Sequence, residues 1–151
     1  RHPGYTVHMS DALHPALRRV PTPVAALAFL ILLAAHAVLL VGRKRPGWRS
    51  DALLAFDAGF YSHVSNFGLS YLLVAGIGYM WLMLGVRTRL VMMLGVACAL
   101  ANVVYELWVP FLNTPDPRDA VCGLAGTAVA MVVLLAIDRF GMRTNPAFPG
   151  T

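Results

Sequence analysis

Seven side chains in this sequence have the types and placement to do chemistry: His63, Asn66, Asn102, Glu106, Asp116, Arg118 and Asp119. A guanidinium among carboxylates holds an anionic headgroup or pairs with an acid, and an imidazole beside a carboxylate can exchange a proton. Glu106 is the most costly of the set. It lies inside an apolar run, about 9 Å short of that run's end at Leu112, from a rise of about 1.5 Å per helical residue. A charge at that depth costs about 2.5–3.5 kcal/mol, so the glutamate must face a protein interior and find a partner. Asn102 is one turn away on the same helical face. Pro110 cannot donate to the carbonyl of Glu106, so a kink or helix end is expected there. Arg118 is the natural cation to approach Glu106, because its planar fork can bond both carboxylate oxygens. Asp116 or Asp119 can cap the helix that follows. Two readings stand side by side. In one, Glu106–Arg118 is a buried pair that locks two helices together. In the other, the cluster lines a polar cavity that binds a headgroup or does acid–base work.

The elements that must position these residues follow from composition. Of 151 residues, 58% are hydrophobic and 13% charged. A soluble domain carries roughly 25% charged residues, so the chain falls in the membrane class. Four runs are long enough to cross hydrocarbon about 30 Å thick: about 23–42, 61–86, 90–112 and 120–137. Backbone groups in lipid are satisfied within a segment only by a helix, and no period-2 alternation suggests a barrel. The fold class expected is all-α: a polytopic membrane protein with four transmembrane helices in one domain, 23–140. Residues 1–22 form an N-terminal extension and 141–151 a C-terminal tail. The stretch "DALLAFDAGF" reads as a short interfacial helix between the first and second spans. The first run reads as an uncleaved anchor, since its apolar core continues past the cleavage-like Ala35-His36-Ala37. Residues 1–8 read as an unstructured extension ahead of Met9, a candidate start.

Four spans put both termini on one side. That side carries Arg1, Arg18, Arg19, Arg87, Arg89, Arg139 and Arg143, against Arg43, Lys44, Arg45, Arg49 and Arg118 on the other. The excess favours cytoplasmic termini. These cations flank apolar runs, where headgroups lie, so the net charge of +5 is not a nucleic-acid signal. Alternating direction brings His63, at the start of span two, to the same face as Glu106 and Asp116-Arg118-Asp119. Gly123, Gly126 and Ala130 make a small-residue packing stripe. The methionines and Tyr71, Tyr79, Trp81 and Trp108 read as core and interfacial belt. Cys98 and Cys122 read as small buried hydrophobes. No metal site and no cofactor are predicted. His36, deep in span one, reads as an interhelical hydrogen-bonding group, with haem or pigment ligation as the alternative.

The order of these features resembles VanZ-like membrane proteins. The stretches that carry the resemblance are "HVSNFGLSYLL" at 63–73, "YEL" at 105–107 and "PDPRDAVCGLAG" at 115–126. His63, Glu106, Arg118, Asp119, Gly123 and Gly126 fall in register with that pattern, which covers residues 57–137. The sequence has no glutamine after Glu106 and no lysine before His63, two features common in the family. The resemblance implies a polar site facing outward from a bacterial inner membrane, with no reaction attached to it. A chain with no HExxH, nucleophile elbow or phosphate loop is read as a binder rather than an enzyme. Membrane lipids are the expected partners. The alternative is an accessory subunit, packed among other transmembrane subunits, whose polar cluster serves packing.

Overall fold

The computed structural model describes residues 17–108 and 116–147. Pro110, Leu112, residues 1–8 and Met9, on which some sequence expectations rest, lie outside the described residues. The described chain is all-α apart from two three-residue strands. In order it runs β1 (Arg19–Pro21), α1 (Pro23–Lys44), a 3-10 turn (Pro46–Trp48), α2 (Asp51–Phe56), α3 (Phe60–Met83), α4 (Thr88–Trp108), α5 (Pro117–Ala136), a π-helical turn (Ile137–Gly141) and β2 (Met142–Thr144). Helices α1, α3, α4 and α5 (with its π-helical turn) are each long and apolar enough to cross a membrane, and α2 is the short helix expected between the first two.

Local chemistry sets the helix ends. Thr22 caps α1 by accepting from Ala25 N–H at 3.2 Å, with Pro23 at the first helical position. At the other end, Arg49 donates to the carbonyls of Gly42 (3.0 Å) and Arg43 (3.2 Å), which lack helical partners. Asp116 caps α5 by accepting from Arg118 N–H at 2.8 Å, with Pro117 at the first position. α3 stops at Gly85, whose φ of +78° suits a residue without Cβ. Val86 N–H reaches back to Trp81 O at 2.9 Å and closes the turn.

α3 is the hub. It packs on α1, α4 and, most extensively, α5. α3 and α5 run parallel: Gly126 meets the Phe67 backbone near one end and Gly78 meets Leu134 near the other. The core between the helices holds Phe29, Tyr71, Val74, Leu82, Val91 and Leu134. Leu27, Leu30, Ile31, Met93, Leu100 and Val132 are exposed on the outside. An apolar outer surface of that kind is what hydrocarbon solvates.

A strand pair joins the expected extension to the expected tail. β1 and β2 pair antiparallel, Arg19 with Thr144, Val20 with Arg143 and Pro21 with Met142. Arg19 forms an ion pair with Asp138, and Asp138 also accepts from Thr88 Oγ1 at 2.5 Å. Asn145 Nδ2 donates to Leu17 O at 2.7 Å. Strands of three residues, paired across about 120 positions of sequence, have no local signal that a sequence reading could use.

Candidate functional site

His63 lies in the first turn of α3, and Asp119 in the first turn of α5. Because these helices are parallel, their N-termini share one face of the bundle, opposite the β1–β2 clasp. A short turn presents α3: Asp57 Oδ1 accepts from Gly59 N–H at 2.8 Å. His63 Nδ1 lies 2.7 Å from Asp119 Oδ1 and 3.9 Å from Asp116 Oδ2. An ionised carboxylate can only accept, so a proton on Nδ1 is what would complete this bond. Both carboxylates sit at the N-terminus of α5, where helix dipoles favour negative charge.

One turn deeper along α3, Asn66 Nδ2 donates to Glu106 Oε1 at 3.0 Å. Glu106 is 3% exposed. Asn102 donates to the Ala120 carbonyl at 3.0 Å and ties α4 to α5. The i, i+3 spacing of His63 and Asn66 therefore gives two polar pairs on one face of α3, a mouth pair with α5 and an inner pair with α4. The expected Glu106–Arg118 salt bridge is not among the ion pairs of the described residues. Arg118 occupies the second position of α5 and is exposed, while Glu106 is buried. A guanidinium can stay hydrated at the mouth at no desolvation cost, and among the described residues the Asn66 amide donates to the buried carboxyl.

Two adjoining cavities open on the mouth pair. One, of about 510 Å³, is lined by Asp57, His63, Pro117, Arg118, Val121 and Cys122. The other, of about 270 Å³, is lined by Leu39, Asp57, Phe60, His63, Val64, Phe67 and Cys122. They share Asp57, His63 and Cys122. The first offers charge at the water boundary, and the second is an apolar slot between α1 and α3. His63, Asp116 and Asp119 also present one donor atom each within 4.8 Å of one another, an arrangement that could close on a divalent cation. The sequence reading did not foresee that donor set, because only the α3–α5 register brings the imidazole to the α5 cap.

Of the seven expected residues, His63, Asp116 and Asp119 come together, and Asn66 joins Glu106. Asn102 acts as an interhelical tie, and Arg118 lines the outer cavity. Asp57 and Cys122 were not expected there. Asp57 carried no signal beyond a polar position in an amphipathic stretch. The small-residue stripe holds: Gly123 packs on Asn102, and Gly126 on the Phe67 backbone. His36 is buried but makes a different bond from the one expected. Its Nδ1 bonds Leu32 O of its own helix at 2.7 Å, and its contact across to α3 is stacking, 3.7 Å from Tyr71 and 5.5 Å from Phe67 between ring centroids. A helix interior offers a carbonyl four residues back, and the flat imidazole lies parallel to the aromatic pair.

The fold and site together define a four-helix protein of membrane-spanning type with a polar cluster at one end. No family model, no curated protein and no solved structure matches the chain.

Proposed function

We propose that this is an integral membrane protein, similar to VanZ-like proteins, whose end cavity binds the polar head of an envelope amphiphile. The observation that carries the proposal is that a charged cavity and an apolar one share Asp57, His63 and Cys122 in their walls. An amphiphile has the same two parts in the same order. Exposed Arg118 suits a phosphate or carboxylate on the head, because its fork bonds two oxygens at once. The His63–Asp119 pair and Asp57 suit hydroxyl or amine groups beside it. Leu39, Phe60, Val64 and Phe67 receive the start of the chain. Glu106 and Asn66 sit behind the mouth as a polar wall.

The membrane proposed is a bacterial inner membrane, with the termini in the cytoplasm, following the excess of arginine on the terminal face. The cavity then opens outside, where envelope amphiphiles are handled. The test is native mass spectrometry of the full chain, extracted gently from its own membrane. A discrete amphiphile adduct is expected, lost in Arg118→Gln and Asp119→Asn while the melting temperature holds. A wild-type set of adducts left complete by both substitutions, or no adduct on the wild type, would refute the pocket. A fixed larger assembly with this chain at integer stoichiometry would favour the subunit reading.

A further inference from the structure

The cations at the end of α1 are not equivalent. Arg49 is used internally, on the carbonyls that end the helix. Arg43 donates to Ser65 of α3. Lys44 and Arg45 are exposed, and neither they nor Arg43 form an ion pair with a carboxylate among the described residues. These three cations rim the largest of the cavities described, about 680 Å³. Its wall continues along the membrane-facing groove between α1 and α3 through Leu40, Val41 and Leu69, with Trp48 at the edge. The groove is thus apolar where hydrocarbon lies and positive where phosphates lie. An exposed tryptophan sits at that boundary, the depth at which aromatic residues settle.

We propose that this groove is a binding site for one anionic membrane phospholipid, separate from the amphiphile cavity. The phosphodiester bonds Lys44 and Arg45, with Arg43 held in place by Ser65. The glycerol backbone packs beside Trp48, and one acyl chain lies along Leu40, Val41 and Leu69. Charge complementarity selects the occupant: three cations without an acidic partner repel an amine headgroup and attract a phosphate that carries no compensating amine. The contrast with the other mouth is direct, because Asp57, Asp116 and Asp119 lie around His63, and among the described residues that line that cavity Arg118 is the one cation that opposes them.

The experiment uses the full chain, purified and delipidated in an uncharged detergent. It is titrated with phosphatidylglycerol or phosphatidylcholine, and bound lipid is counted by native mass spectrometry. One phosphatidylglycerol is expected to be retained in preference to phosphatidylcholine. Lys44→Gln/Arg45→Gln should weaken that retention about 30-fold, from about fivefold for each cation lost. Lys44→Arg/Arg45→Lys should restore it, which separates lost charge from lost folding. Arg87→Gln/Arg89→Gln, on the opposite face, should leave it unchanged. Asp119→Asn should also leave it unchanged, so failure here is distinguishable from failure of the amphiphile cavity. Equal retention of the two lipids, or undiminished retention in the Gln pair, would overturn the proposal. Full competition by equimolar soluble glycerol 3-phosphate would overturn it too, by assigning the site to a water-soluble phosphate.

Discussion

Gly126→Ala should open the seam on which the site depends. A Cβ at Gly126 would lie 2.9 Å from the carbonyl carbon of Phe67 and 3.0 Å from its Cα, and nearer still to the carbonyl oxygen. All three are backbone atoms, so no side chain can swing away to make room. Overpacking costs about 1–3 kcal/mol where side chains can adjust, and the upper end applies here. Alanine recovers about 1 kcal/mol of helix propensity. The net cost is about 2 kcal/mol, or about 30-fold in the folded fraction. Gly76→Ala on α3 is the matched control, because a Cβ there meets nothing within 4 Å. It should be neutral or stabilising. The assay is an SDS unfolding titration of detergent-purified protein, read by circular dichroism. The consequence reaches function, since His63 lies one turn before Phe67 and Asp119 two turns before Gly126. Helices pushed apart at that level lose the 2.7 Å His63–Asp119 bond. Equal stability of the two alanine variants would refute the close approach of α3 and α5.

Asp116→Ala should cost about 1 kcal/mol through loss of the α5 cap, while Asp116→Asn, which can still accept from Arg118 N–H, should cost much less; the same titration reads both, and equal losses would sink the capping role. Thr127→Val should be neutral or stabilising, because the Thr127 hydroxyl is buried without a hydrogen-bond partner among the described residues. A loss above about 1 kcal/mol would mean that the hydroxyl is satisfied after all. Arg19→Ala should release the clasp of the two ends, raising hydrogen exchange about tenfold at Thr22 and Asn145 N–H, which bond Gly141 O and Arg18 O. Unchanged exchange would show that the strand pair holds without the Arg19–Asp138 bond.

The spans were legible because hydrocarbon imposes a rule that reads in one dimension: about 20 apolar residues per crossing, with backbone bonds closed inside each segment. α1 and α5 begin within a few residues of the expected positions, because Thr22-Pro23 and Asp116-Pro117 spell out caps in the sequence. The β1–β2 clasp and the Arg19–Asp138–Thr88 cluster were not legible. Each joins short segments from opposite ends of the chain, and Asp138 looks like an ordinary polar residue after an apolar run.

For the site, topology gave the level and packing gave the partners. Alternating spans place His63, Glu106, Asp116 and Asp119 at one face whatever the bundle's arrangement. Which of them touch depends on helix adjacency. A reading that treats α4 and the loop after it as the natural pair joins Glu106 to Arg118. The bundle instead sets α3 against both α4 and α5, and a single helix face, through His63 and Asn66, engages each in turn. The decisive residue for that arrangement is Gly126, which has no functional group. Its missing Cβ lets the Phe67 backbone approach, fixes α3 and α5 in parallel register and thereby puts an imidazole on the α5 cap. A small-residue stripe in such a bundle therefore bears on chemistry as well as packing: it selects which titratable groups, already at the same depth, come within hydrogen-bonding distance.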